Sequence, residues 1–426
     1  MLGAALALAL GRAGAVDLAI DNPDLAVRWD NTVKYSAASR LKEANPGLLA
    51  NPNLDDGDRN FGKGLVSSRV DLLSELDVTY QKAFGFRVSG AAWYDRVYNR
   101  NNDNPGFAGG AVPNQTSTAF NAFTEGTRKQ HGRDAEVLDA FVFGKFDLDG
   151  RQATVRAGRH SILWGESLFF GGNAISGGQM PVDLVKLISV PSTQFKEAIR
   201  PVPQVSAQMQ LNSRVSVGAY YQTSFVATRL PGAGSYFSNN DVTLAGAENL
   251  FVPTGPVPLT KIVDGGNSGQ GGLQLRYRGD EVDYGFYVLR FHSKAPQLVP
   301  QVGMGPAGPQ PVGYYLAYQE GIKAFAASAS KTFGNYNVAI EGSLHTNQDL
   351  ASTQGVDLAA LGLPATDNAG NPAYAVGRTA HINLSTLGTL DRNFLWKEAN
   401  LIAELAWNRV LSISKNAGAA DPHASR

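Results

Sequence analysis

The 426-residue chain contains no cysteine, which excludes disulfide staples, thiolate metal sites and cysteine nucleophiles. It also lacks an excess of either charge: 37 Lys and Arg balance 37 Asp and Glu, so no electrostatic argument for a nucleic-acid partner exists. Long apolar runs are missing too. The apolar stretch from Leu2 to Leu10 falls short of the ~18 consecutive apolar residues that a membrane helix needs, and no later segment supplies them. A chain that crosses a membrane under these limits does so with strands. The mean hydropathy of −0.17 agrees, because strands that alternate apolar and polar residues average out.

What the chain does contain is period-two alternation from end to end. Between Arg69 and Tyr80, Val70, Leu72, Leu76 and Val78 share one face while Arg69, Asp71, Glu75 and Asp77 share the other. The same pattern returns at Val27 to Tyr35, Gln204 to Leu211, Leu273 to Arg278, Tyr336 to His345 and Leu401 to Asn408. About thirteen strands are expected, many of roughly ten residues, a length that suits tilted membrane strands. Connections alternate between tight turns, as at Asp149-Gly150 and Gly334-Asn335, and long excursions. The excursions cover residues 37–64, 99–133, 161–202, 227–270, 293–318 and 346–377. This asymmetry predicts an all-β, antiparallel outer-membrane β-barrel with long external loops and short periplasmic turns. Val70, Leu72, Leu76 and Val78 should face lipid, because the reverse placement puts four ionisable groups into hydrocarbon, at about 2–4 kcal/mol for a basic one at the midplane. Arg28, Arg69, Asp71, Glu75, Arg87, Arg156 and Arg276 should then line the lumen.

The two ends read differently. Residues 1–15 match the apolar core and the small-x-small cleavage site of an export signal, without a preceding basic residue. Residues 16–413 form the barrel domain, and residues 414–426 have neither alternation nor a terminal aromatic. An odd strand count with such a tail predicts a truncated, incompletely closed barrel that lacks its C-terminal strands. An open edge is an aggregation hazard, so such a product is expected not to insert when expressed alone.

The excursion after Gly158 is the least like a passive loop. It combines Gly158-Arg159-His160, Trp164-Gly165-Glu166 and Phe169-Phe170 with a Gly-rich centre and an apolar run from Met180 to Val190. Long loops of this composition bury against something, and the lumen is the available place. Pro181 at a first position and Asp183 in a first turn predict a short helix over the apolar run, with Phe195 and Ile199 extending its apolar stripe. Segment 164–200 is therefore expected inside the barrel, with Phe169, Phe170, Leu184 and Leu187 partly buried. Arg159, Glu166 or Arg200 should pair with lumen charges. Arg159, His160, Trp164, Glu166, Phe169, Phe170 and Arg200 are the candidate binding or constriction residues, whereas the polar loop 99–133 should stay outside.

Catalytic and metal signatures are weak. The six histidines lack zinc-motif spacing, and no Gly-x-Ser-x-Gly elbow surrounds His160-Ser161. Asp55-Asp56-Gly57-Asp58 lacks the spacing and the distant Glu of a calcium loop and reads as Asx turns in an external loop. Gly171-Gly172 and Gly177-Gly178 lack the Lys-Ser/Thr of a phosphate loop. No enzyme activity, cofactor or metal site is expected.

Asp24 to Tyr35, Asp55 to Arg59, Val88 to Tyr98, the Gly-Arg-His-x-x-x-Trp-Gly-Glu-Ser stretch within Gly158 to Phe170, and Phe195 to Val205 resemble the proteobacterial outer-membrane family catalogued as domain of unknown function 1302. The resemblance runs from about Asp17 to the end. It implies longer relatives and an outer-membrane location in a Gram-negative bacterium. It also implies a genetic context with a periplasmic lipoprotein-sorting-like partner and a resistance-nodulation-division transporter, in neighbourhoods for degrading steroids and other hydrophobic compounds. The implied function is passage of hydrophobic small molecules, steroid-like, aromatic or lipid-like. A structural or interaction partner in a lipid- or hydrophobe-trafficking complex is the alternative, and an outer-membrane hydrolase comes third.

Overall fold

The computed structural model describes residues 5–18, 20–106, 113–191, 193 and 195–423. The wall uses strands β1 (Ala5–Leu18), β2 (Leu25–Arg40), β3 (Gly64–Tyr80), β4 (Phe84–Asp95), β5 (Arg133–Leu148), β6 (Arg151–His160), β7 (Val202–Gln210) and β8 (Val215–Gln222). Two strands, β9 (Asn249–Val252) and β10 (Gly255–Val263), then leave it, and β11 (Gln270–Arg278) and β12 (Asp283–Phe291) return to it. After a second departure through β13 (Gln297–Gly305) and β14 (Gly308–Ala317), the wall ends with β15 (Ile322–Phe333), β16 (Tyr336–Asp349), β17 (Val376–Leu390) and β18 (Ala399–Lys415). Fourteen strands form one sheet in chain order, with β9, β10, β13 and β14 in a second sheet. Every wall ladder is antiparallel. Among the described residues no ladder joins β18 to β1, so this barrel-like antiparallel sheet is open along one seam.

Turn chemistry sets which end is short. Gln81 and Lys82 (φ 49° and 56°) join β3 to β4, and Asp149 and Gly150 (φ 54° and 78°) join β5 to β6. Two consecutive positive-φ residues give the tight hairpin that matches strand twist. All the long excursions leave from the opposite end.

The β2–β3 register pairs Val33 with Leu72 and Trp29 with Leu76 on one face, and Lys34 with Asp71 and Arg28 with Asp77 on the other. Lys34 Nζ reaches Glu197 Oε2 of the insert at 3.5 Å, which identifies the charged face as the interior. Val33 (48% exposed) and Leu72 (40%) therefore line the outside, while Arg69 is 3% exposed within. On the far side, Glu341 is buried against the insert and its neighbours Ile340 and Leu344 are exposed. An exposed apolar belt is stable where the surrounding solvent is hydrocarbon.

Three stretches take part in the fold beyond what alternation alone predicts. The stretch read as an export signal lies largely in β1, which pairs with β2 along its whole length, Leu10 opposite Tyr35. Its Ala-Leu repeat has period two, so the apolarity of a signal core and the alternation of a strand coincide there. The tail also has a place: β18 runs to Lys415, Ala419 is buried, and Asp421 N donates to Ala351 O at 2.9 Å. Finally, two excursions form the second sheet, where β10 and β14 pair in parallel. Pro256, Pro258, Pro300, Pro309 and Pro311 stand inside these strands. Proline removes a ladder donor and argues against a strand when sequence is read alone.

Loop 99–133 is also no free excursion. Tyr98 and Phe123 are buried with Phe61 and Tyr236, contributed by neighbouring excursions. Tyr236 N donates to Tyr98 Oη at 3.1 Å and Thr127 Oγ1 to Ala233 O at 2.7 Å, so the loops at this end pack on one another; residues 107–112 lie outside the described set.

Candidate functional site: the insert and the lumen

Between β6 and β7 the chain crosses the interior to reach β16, β17 and β18, then returns. Its first half is held by side chains of the far wall that bind its backbone. Glu341 on β16 accepts from Glu166 N (2.6 Å) and Ile175 N (3.0 Å). Glu404 on β18 accepts at one oxygen from Leu168 N (3.2 Å), Phe169 N (2.5 Å) and Phe170 N (2.9 Å). Its other oxygen accepts from Asn383 Nδ2 at 2.8 Å. Ser385 Oγ donates to Glu166 O at 2.9 Å, and Asn173 Nδ2 to Asn383 Oδ1 at 2.7 Å. Irregular backbone cannot satisfy itself as a strand does, so carboxylates that gather several N–H groups are an effective way to fix it.

Trp164 packs the same half onto the near wall. Its ring meets Tyr220 edge-on at 5.1 Å and joins a cluster with Ile175, Leu289, Phe291 and Ile322. Gly272 leaves the room: a Cβ there would lie 3.1 Å from the Trp164 ring and 2.5 Å from Leu289. Gly165 has φ +97°, and a Cβ would stand 2.4 Å from Glu341 Oε2, so the bend before Glu166 admits only glycine.

The second half differs from the expected helix over Met180 to Val190. Pro181 to Asp183 are extended, Val182 bridges Ile199, and the helix is confined to Leu184–Ser189. Asp183 is its N-cap, accepting from Lys186 N at 3.0 Å, a better terminus than Pro181 because its carboxylate satisfies a free N–H. Leu184 and Leu187 are half-buried. The side chains of Phe195 and Lys196 lie outside the described residues.

Phe169 and Phe170 are 57% and 50% exposed rather than partly buried, since their backbone, not their rings, is what Glu404 fixes. Glu166 pairs with Arg276 at 3.5 Å. Arg200 instead donates to Ala227 O (2.6 Å), and Arg159 Nε is buried without a hydrogen-bond partner among the described residues. His160 is 1% exposed in the wall, its Nε2 2.8 Å from Ser206 Oγ and its Nδ1 3.1 Å from Gly158 O.

Of the lumen residues, Arg69 binds Asp71 (2.7 Å), and Arg87 gathers Glu75, Asp77 (2.9 Å) and Asp139 (3.4 Å). Arg28 pairs with Asp30 (2.8 Å) near the turn end and is largely exposed. Among the described residues Arg156 has no carboxylate within 4.0 Å, and its guanidinium lies 5.8 Å from the Phe141 ring. Together with the returning insert, β3 to β6 enclose a cavity of about 970 Å³ whose lining includes Asp71, Glu75, Arg87 and Arg156. Another hollow of about 840 Å³ is lined mainly by outward apolar residues such as Val155, Leu273 and Phe286, and is a groove on the lipid face.

Arg229, which sequence reading missed, comes from the excursion after β8. It pairs with Glu136 (2.5 Å) and with Asp183 of the insert (2.7 Å), and its guanidinium sits 5.6 Å from the Trp93 ring. Arg69 lies 5.3 Å from the same ring. Nothing adjacent in sequence marks Arg229 for this role.

A further group was only half visible. Asp55 and Asp56 are buried, and Asp241 from the excursion after β8 joins them. Each offers an oxygen within 4.8 Å of the others, the arrangement among the described residues that could hold a metal ion. Arg59 pairs with Asp55, Asp56 N donates to Asp241 Oδ2 at 3.0 Å, and Asn114 N to Asp56 Oδ2 at 2.9 Å. Burial, and then the Asp241 charge, push the Asp56 carboxyl up to about 8; burial raises Asp241 as well.

The profile of the family described as "Protein of unknown function (DUF1302)" matches residues 1–425. The chain belongs to this family. No curated protein matches this DUF1302 chain. Among solved structures, a mutant ferric enterobactin receptor from Pseudomonas aeruginosa is 9% identical with a TM-score of 0.37, over 92% of this chain and 50% of the receptor. The FrpB iron transporter from Neisseria meningitidis is 10% identical with a TM-score of 0.34, over 91% of this chain and 54% of that one. Salmonella typhi OmpF, in complex with daunomycin, is 10% identical with a TM-score of 0.27, over 94% and 90%. The DUF1302 chain thus spans about half the length of the first and second of these proteins. With every one of these TM-scores below 0.5, its function has to be argued from its own geometry.

Proposed function

We propose that this protein is exported to the outer membrane of a Gram-negative bacterium and there passes hydrophobic small molecules, with the insert as its constriction. The observation that carries this reading is the insert's path: it crosses the interior, is fixed on the far wall by Glu341 and Glu404, and leaves a cavity beside Arg87 and Arg156. An apolar belt outside and a mixed-sign lining inside are what a membrane conduit requires. Deleting residues 171–190 from the full-length protein should raise ion conductance in planar bilayers. Unchanged conductance with normal folding would move the reading to a structural or interaction partner in a hydrophobe-trafficking complex, working with a periplasmic lipoprotein-sorting-like protein and a resistance-nodulation-division transporter. The ordered second sheet at the long-loop end favours that alternative as a docking platform.

A hydrolase is the third reading, because His160 and Ser206 have the spacing of a base and its nucleophile. The ring's other nitrogen meets the Gly158 carbonyl rather than a carboxylate, and the ring, at the edge of the lumen cavity, is only 1% exposed. That geometry supports a wall hydrogen bond, not catalysis.

A further inference from the structure

The lumen cavity has its carboxylates engaged and some of its cations free. Every carboxylate in its lining has a cationic partner: Asp71 has Arg69, Glu197 has Lys34, and Glu75, Asp77 and Asp139 share Arg87. Lys145, Arg156 and Lys186 line the same cavity, and among the described residues none has a carboxylate within 4.0 Å. The aromatic surface runs along β5 from Phe141, opposite Arg87, to Phe143, opposite Arg156. The two rings lie 6.5 Å apart, and the Arg156 guanidinium is 5.8 Å from the Phe141 ring.

Resting on the passage reading above, we infer that this cavity is a binding site for amphipathic organic anions, an apolar body against Phe141 and Phe143 and a carboxylate or sulfate against Arg156 and Lys145. A cation without a carboxylate partner, beside an aromatic face, offers an anion direct hydrogen bonds without first breaking an ion pair. A positive ligand would instead have to compete with Arg87 for carboxylates already engaged. The volume of about 970 Å³ suits a compact ligand with room for its hydration.

The test uses three probes with one apolar body: adamantane-1-carboxylate, adamantan-1-amine as its ammonium, and the neutral adamantane-1-methanol. Each is titrated against the full-length protein in planar bilayers, reading block of the ion current, and each is followed for entry into liposomes that hold the protein. The carboxylate should block with a Kd at least tenfold below that of the ammonium and of the neutral alcohol. Arg156→Gln combined with Lys145→Gln should weaken the carboxylate at least tenfold and leave the alcohol within twofold. Among the described residues neither side chain makes a hydrogen bond, and unchanged heat-modifiable migration on a gel will establish that the variant is folded. The inference is overturned if the ammonium or the alcohol blocks as well as the carboxylate, if the variant binds the carboxylate normally, or if no probe blocks. Failure of the passage reading looks different: the carboxylate blocks with the expected preference, yet no probe enters the liposomes.

Discussion

Removing the Glu341 carboxylate tests whether the insert is a fixed element. Its two oxygens accept from Glu166 N at 2.6 Å and Ile175 N at 3.0 Å, and Ile175 is almost wholly buried. Glu341→Gln is not a mild change here. The amide carbonyl can still accept from one N–H, but its NH2 group then confronts the other. A buried donor left without a partner costs about 1–3 kcal/mol. Glu341→Ala loses both bonds, and at about 1.5–3 kcal/mol for each charge-assisted bond the loss is about 3–5 kcal/mol after lumen water restores part of it. Since about 1.4 kcal/mol is a factor of ten, the released population of the insert should grow about 5- to 150-fold in the Gln variant and about 150- to 4,000-fold in the Ala variant. The chain has no cysteine, so Ser176→Cys supplies a single, nearly isosteric and buried reporter next to Ile175. Maleimide labelling of that thiol should accelerate in the order wild type, Gln, Ala, with bilayer conductance rising in parallel. Equal labelling rates and equal conductance in a folded Glu341→Ala barrel would refute the view that these bonds hold the insert.

Arg229→Ala should destabilise the fold by about 3–5 kcal/mol, because Glu136 and Asp183 would be left as partly buried carboxylates without their guanidinium. Thermal unfolding in detergent micelles measures it, and a loss below about 1 kcal/mol would mean that water already screens the pair. Asp56 sets a pH dependence: its folded carboxyl is raised to about 8 while an unfolded one titrates near 3.8, so between these values the native state holds a proton that the unfolded state has lost. The contribution is complete below pH 3.8 and disappears as pH rises towards 8, with a slope of at most about 1.4 kcal/mol per pH unit for one proton, and Asp56→Asn should abolish the difference. Wild-type stability that rises with pH relative to the Asn variant would contradict this sign.

What the sequence displayed and what it concealed divide along physical lines. Alternation at Arg69 to Tyr80 was legible because each residue's face depends only on its parity, and the register then pairs Val33 with Leu72 and Lys34 with Asp71. Short and long connections were legible for a similar local reason, since Asp149-Gly150 carries its own turn geometry. The insert announced itself by composition, yet its anchors did not. Glu341 and Glu404 stand on polar strand faces like many lumen residues, and what they bind is backbone N–H, which has no sequence signature. Their one visible trait was to be isolated carboxylates with no basic residue two positions away on the same strand. Asp55-Asp56 looked like solvated turn residues because Asp241 is brought to them only when two excursions pack together. The strands of the second sheet were hidden by their own prolines, which the pairing tolerates where ladder donors are not needed, as at the break between Gln301 and Val302 opposite Pro311 to Gly313. The wall follows from local rules. The interior depends on which segments the wall brings together, so the functional reading has to rest on cross-lumen contacts such as Glu404 to Phe169 and Lys34 to Glu197.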